Sequence, residues 1–184
     1  MIKLSILIPS LTSRNESLGE LLYTLNNQQT DEVEVLLEID NGEASIGAKR
    51  NKLLQRAKGE YISFIDDDDM ISRHYIKEAL EGIRWGVDCI SLRGVITFDG
   101  KNPEIFEHSI QYKEYKTNTT GLIKYERYPN HLNVIKSSIA KQFTFPEINH
   151  GEDTDFATQI YKSGLIKTEH FIDEVLYHYQ YKNK

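Results

Sequence analysis

Four consecutive carboxylates, Asp66 to Asp69, are the residues of this 184-residue chain whose type and spacing point most directly to chemistry. They follow an apolar stretch, Tyr61 to Ile65, whose pattern predicts a strand. Adjacent like charges repel, so a folded chain keeps such a run either in solvent or around a cation. In open α/β sheets ligands bind outside the carboxyl ends of strands, which is where this run falls. Hard divalent cations take oxygen ligands, and Mg²⁺ in particular combines one or two carboxylates with substrate phosphates. A solvated acidic loop is the other reading, and the usual fate of a charge run. Spacing excludes an EF-hand: counting from Asp66, the fifth position is Met70 and the sixth is Ile71, where that loop requires Gly.

The elements that must position these carboxylates alternate regularly. Lys3–Pro9 reads as a strand, and Leu18, Leu21, Leu22 and Leu25 recur at helical spacing. Val33–Ile39 is a second strand ending at the turn signal Asp40-Asn41-Gly42, and a helix over Ile46–Ala57 stops at Gly59. After the acidic run, a third helix is expected to start at Ser72 as N-cap, with Ile76, Ala79, Leu80 and Ile83 on one face. This order predicts an α/β, Rossmann-like three-layer sandwich with a mostly parallel central sheet. The second half is irregular. Val87–Phe98 and Ile105–Tyr112 read as strands around the hairpin dipeptide Asp99-Gly100, whereas Asn118–Tyr128 is polar and fits no pattern. Ser137–Gln142 and Glu152–Ser163 read as helices, and Thr168–Ile172 and Val175–Tyr181 as two closing strands.

Composition bounds the function. Hydrophobic residues at 39% and charged residues at 27% are ordinary for a soluble globular chain of one domain. No apolar run approaches the ~20 residues that span a bilayer, and Met1–Pro9 is too short for a secretory leader, so a cytoplasmic protein without membrane insertion is expected. A single cysteine, Cys89, rules out an internal disulfide and a cysteine zinc site; its strand-like surroundings make it a core residue. The net charge of −6 gives no general field for a polyanion, although Lys49, Arg50, Lys52, Arg56 and Lys58 cluster locally.

Five landmarks follow one another in the chain: Ile6-Leu7-Ile8-Pro9-Ser10, Asp40-Asn41-Gly42, Gly47-Ala48-Lys49-Arg50-Asn51, Ala57 through Asp69, and Gly151-Glu152-Asp153-Thr154-Asp155-Phe156. In order and spacing this resembles the family 2 glycosyltransferases of GT-A fold, which show Pro-Thr-Tyr-Asn, Asp-Asp-Gly-Ser, Ala-Arg-Asn, Asp-x-Asp and Glu-Asp. The resemblance implies a donor-binding half over 1–98 and a small mixed acceptor-side half over 99–184 of a single domain. It further implies an inverting hexosyltransferase that moves one sugar from a nucleotide diphosphate sugar, UDP-sugar favoured, to a hydroxyl acceptor. Mn²⁺ or Mg²⁺ would assist, because a departing diphosphate develops charge that a Lewis acid neutralises.

By the same resemblance Pro9 lies in the donor-binding strand, and Asp40 accepts from the uracil imide, with a turn-forming Asp as the alternative. Arg50 lies near base and diphosphate, the alternative being an ordinary solvated helix residue. Asp68 ligates the metal, Asp66 meets ribose or metal, and Asp67 contributes to the donor site with Asp69 in support. Asp153 is the base that removes the acceptor proton, a role compatible with a helix first turn that favours acidic residues. Glu152 would hydrogen-bond acceptor or backbone. His178 is a candidate third metal ligand, against a partly buried strand histidine; His131 and His150 are weaker candidates.

The chain departs from the family where Leu11-Thr12 replaces Tyr-Asn and Glu43 replaces the Ser of Asp-Asp-Gly-Ser, which bears on the base pocket. The Gln-x-x-Arg-Trp helix of processive synthases is absent, which favours single-sugar transfer, and the chain is short for the family. A glycan or small-molecule acceptor is expected, with hydroxymethyl-pyrimidine DNA as the alternative, since compact phage members resemble the Tyr128–Lys136 segment. From other classes stand a nucleotidyltransferase, a non-catalytic nucleotide-sugar binder, and an Asp-nucleophile phosphatase. The phosphatase is disfavoured by Met70 and by the run following the third strand rather than the first.

Overall fold

The computed structural model describes residues 1–182. Strand β1 (Leu4–Leu11) pairs in parallel with β2 (Val33–Asp40) on one side and with β3 (Tyr61–Phe64) on the other. Side chains alternate across a strand, and β1 and β3 are apolar on both faces. Leu4, Ile6 and Ile8 join one core with Tyr61 and Ile65, while Leu7 joins a second with Ile62 and Phe64. A strand buried on both faces reads as a continuous apolar run, which is why these strands were visible in the sequence.

Helices cover both faces. The first core takes Leu18, Leu21 and Leu25 from α1 (Asn15–Asn26), which follows a 3₁₀ turn at Thr12–Arg14. It also takes Ile76, Ala79, Leu80 and Ile83 from α3 (Tyr75–Arg84). The second core takes Leu53 and Leu54 from α2 (Ile46–Arg56), Ile139 and Ala140 from α4 (Ser137–Ala140), and Phe156 and Ile160 from α5 (Glu152–Ser163). This is the expected three-layer α/β sandwich.

The rest of the sheet is mixed. Between β3 and α3, β4 (Met70–Ile71) pairs antiparallel with the last strand, β10 (Glu169–Tyr181). β5 (Cys89–Phe98) and β6 (Lys101–His108) form the hairpin expected at Asp99-Gly100, where both residues have positive φ, 50° and 73°. β7 (Lys116–Thr117) and β8 (Ile123–Arg127) extend that edge, and β9 (Val134–Lys136) bridges β3 to β5. The order is β2-β1-β3-β9-β5-β6-β8-β7, with β10 parallel to β5 along its other side.

Three expectations need correction. The third helix starts at Tyr75, not after Ser72, because the Ser72 amide donates to Leu176 O (2.9 Å) and holds the chain in its pairing with β10. The two closing strands are one, with register shifts between Ile172 and Tyr177. Asn118–Tyr128, which fitted no pattern, contains β8.

Candidate functional site

The four aspartates are treated unequally. Asp67 is 2% exposed and accepts from Ser10 Oγ (2.6 Å), from Arg14 Nη1 (2.6 Å) and from the Leu11 amide (3.4 Å). Asp69, 1% exposed, accepts from the Tyr177 hydroxyl and the Gln180 amide, each at 2.8 Å. Burial, with the Asp66 charge, pushes Asp69 well above the ordinary carboxylate range. Asp68 is the most open, with Arg14 Nη1 at 3.1 Å. Burial raises its pKa, Arg14 pulls it back, and the Asp67 and Asp66 charges leave it above the usual value.

Asp66 is held from behind. Arg50 in α2 donates through Nη2 to Asp66 (2.7 Å) and through Nη1 to Glu152 (2.6 Å), tying α2, the end of β3 and α5 together. Burial alone would raise the Asp66 pKa; the Arg50 charge overcomes it and holds the carboxyl well below the usual range. Arg50 is 2% exposed and lies 5.9 Å and 5.5 Å from the Phe64 and Phe145 ring centres. The resemblance implied contact with base and diphosphate, but the enclosed guanidinium is committed to two protein carboxylates and stands as a positioning residue behind the cluster. Glu152 likewise meets Arg50 rather than acceptor or backbone. The close approach of α2 to the 146–148 segment requires Gly47: a Cβ there would fall 1.9 Å from Pro146 O.

Asp40 ends β2 and accepts from the Gly42 (3.0 Å) and Ala44 (2.8 Å) amides, so the turn role is realised. Buried Lys49 also pairs with it and donates to Ser10 O (2.7 Å). The Lys49 bond, followed by the Ala44 amide, lowers the Asp40 pKa to about 2. Pro9 is buried in β1. It has the parity of Lys3 and Leu7, whose carbonyls accept from Tyr61 and Ile65, but lies beyond the last rung with β3, so its missing N–H costs no ladder bond.

Asp153 occupies the first turn of α5, where its Oδ1 accepts from the Thr154 amide (2.7 Å). It faces Asp66 across a cleft of about 400 Å³. His131, a weak candidate from sequence, is also there: 4% exposed, with Nε2 3.7 Å from Asp66 Oδ2 and neither ring nitrogen hydrogen-bonded. The cleft wall is one face of four adjacent strands, drawn from residues two apart: Tyr179 and Tyr181, Ile96 and Phe98, Phe106 and His108, Tyr125 and Arg127. Sequence reasoning missed this wall. The available signal was the period-two recurrence of aromatics across the hairpin and the last strand.

His178 is not brought to the acidic run. From Tyr177 to Tyr181 the pairing of β10 is regular, Tyr177 bonds Asp69 and Tyr179 lines the cleft, so the side chain between them points to the other face. Burial lowers its pKa. His150 is exposed. Among the described residues no three His, Cys, Asp or Glu side chains gather into a metal cage. Asp68 and Asp66, whose Oδ2 has only His131 Nε2 near it at 3.7 Å, nevertheless fit a hard cation of the kind that completes its shell with water and substrate phosphates.

The family model described as Glycosyl transferase family 2 matches residues 37–147, more than half of the chain. Among solved structures, the crystal structure of S. aureus TarS 1-349 aligns with TM-score 0.72 at 21% identity, covering 97% of this chain and 60% of that one. TarS 1-349 in complex with UDP-GlcNAc aligns with TM-score 0.72 at 18% identity over 100% of this chain and 60% of that one. This chain thus spans about 60% of the length of these structures, which share its fold. No curated protein sequence matches significantly. Among the described residues no helix is long and apolar enough to cross a membrane. The match through β3, the acidic run and the β5–β6 hairpin places this chain in glycosyltransferase family 2.

Proposed function

We propose that this chain transfers a single sugar, with inversion, from a UDP-sugar to a hydroxyl acceptor, with Mn²⁺ or Mg²⁺ bound at Asp68 and Asp66. The observation that carries the reading is the meeting of Asp153 and Asp66 in one cleft at the carboxyl end of the parallel strands. The donor would lie along 1–98, with Asp40 and Pro9 at the base end and Asp66 to Asp68 at the diphosphate. The acceptor would enter over 99–184. The family resemblance, and the TarS fold seen with UDP-GlcNAc, favour a uridine donor.

The chain's own residues supply the chemistry. Asp153 takes the proton of the acceptor hydroxyl as its oxygen bonds to the sugar's anomeric carbon, on the face opposite the leaving group. The bond from that carbon to the diphosphate breaks, and the electron pair leaves with UDP. When bound, the cation neutralises the charge developing on the diphosphate. Arg50 holds Asp66 and Glu152 in fixed places, so the site does not reorganise as charge moves.

Thermal melting with UDP-GlcNAc, with and without MnCl₂, tests this, since a ligand at ~100 times its Kd stabilises by about 2.7 kcal/mol. The expected result is a metal-dependent rise with slow release of free sugar. If neither UDP nor any UDP-sugar moves the melting temperature with metal present, the reading fails.

A further inference from the structure

Seven arginines occur in the chain, and their partners separate one from the rest. Arg14, Arg50, Arg56 and Arg93 each pair with a carboxylate, and Arg73 and Arg84 are exposed. Arg127 alone is both shielded and without a carboxylate partner among the described residues. Its guanidinium lies over the Tyr115 and Tyr125 rings, at 4.8 Å and 5.3 Å from their centres. Its Nη1 donates to the carbonyls of Lys116 (2.6 Å) and Glu126 (2.9 Å), which orients the planar fork without using the remaining N–H groups. Arg127 lines the cleft that also holds Asp66 and Asp153. A partly desolvated cation with open donors is costly unless an anion meets it, and a planar fork favours the two oxygens of a carboxylate or phosphate.

The remainder of the wall is built for a sugar. Phe106 is seated by Gly94, where a Cβ would fall 2.1 Å from the ring, so that strand position has to stay bare. Tyr179 and Tyr181 line the cleft while 37% and 43% exposed, offering flat apolar faces at its rim. Below them, His131 brings two unbonded ring nitrogens and His108 one, on side chains 4% and 5% exposed. Buried imidazoles without partners call for a ligand with hydroxyl groups.

We propose that this cleft binds a carbohydrate acceptor bearing an anionic group, carboxylate or phosphate, which pairs with Arg127. The inference rests on the transferase reading and names the acceptor class. One arginine in a 400 Å³ cleft, on a chain of net charge −6, suits one anionic sugar and not the many phosphates of a DNA duplex.

The test titrates the whole chain, with UDP present, against three probes of equal length: a neutral oligosaccharide, one ending in a uronic acid, and one carrying a sugar phosphate. The anionic probes should bind about tenfold tighter than the neutral one, as expected for a charge-assisted hydrogen bond. Arg127→Gln should erase that difference and leave the UDP-induced melting shift intact. Either anionic probe winning supports the proposal and identifies the source of the anion. Equal binding of all three probes to the wild type overturns it, and this comparison needs no folded variant. A loss of the UDP shift in Arg127→Gln also overturns it, by moving the arginine to the donor. So does tighter binding of an oligonucleotide than of either anionic sugar. The UDP shift tests the transferase reading separately, so the two can fail independently.

Discussion

On the donor side, each acidic side chain near the strand ends already has a partner inside the chain: Asp40 with Lys49, Asp66 and Glu152 with Arg50, Asp67 and Asp68 with Arg14. Across the cleft, among the described residues, Asp153 and Arg127 form no ion pair and the His131 ring forms no hydrogen bond. The difference teaches where each region's cost falls. A self-paired network is fixed before any ligand arrives, so breaking it strands charge and costs stability. An unpaired group has been left open for something outside the chain, so removing it costs function and little stability.

Asp153→Asn offers the largest contrast. Loss of a positioned base costs about 10²–10⁴-fold in rate, while Asn can still cap the Thr154 amide. Transfer to an acceptor should fall by that factor, with UDP binding and melting temperature held. Unchanged transfer and unchanged donor hydrolysis would remove Asp153 from the mechanism.

Arg50→Ala is the counterpart on the donor side. It leaves Glu152 and Asp66 without their common cation, and breaking one partner of a buried pair costs about 3–5 kcal/mol. Urea unfolding should register the whole loss. A variant as stable as wild type would mean that the network is not what fixes α2, α5 and the end of β3.

Legibility in the sequence follows the same division. Glu152–Ser163 was expected as a helix and occurs with those bounds, because its apolar residues keep one period and Gly164 ends it. The doubly buried strands β1 and β3 were legible for the reason given above. β8 was not: its alternation reaches only Ile123 and Tyr125, every one of its residues is half-buried, and its pairing with β6 shifts register between those two, so Ile123–Arg127 is too short and irregular for a pattern to stand out. β9, three residues long, is below what a pattern can signal. The acidic run was visible as a group, but not its partners. Arg50 lies 102 positions from Glu152, and local spacing says nothing about a contact made by folding. Pattern alone could not separate a buried, paired arginine from a solvated helix residue, nor show that His178 points away.

A pH experiment sharpens the comparison at intermediate size. Burial, helped by the neighbouring His131 and Arg127, lowers the His108 pKa from 6.5 to about 3. The folded state therefore binds this proton less readily than the unfolded chain. The contribution is fully present above pH 6.5 and is lost as pH falls toward 3, by up to about 1.4 kcal/mol per unit. His108→Gln, which cannot take up the proton, should flatten the stability profile between pH 6 and 4. An unchanged slope would mean the imidazole is not what makes the cleft acid-sensitive.

Tyr125→Phe has the smallest expected effect and separates what the cleft uses from what merely closes it. The Tyr125 hydroxyl donates to Glu104 (2.8 Å), away from the ligand, while its ring lies beneath Arg127. Losing one such bond costs about 1 kcal/mol of stability, and the ring that supports the guanidinium remains. Binding of the uronic-acid probe should therefore match wild type, with only a small fall in urea midpoint. If binding drops as far as it does in Arg127→Gln, the hydroxyl itself contacts the ligand, and the wall reads the acceptor through its polar edges rather than its ring faces.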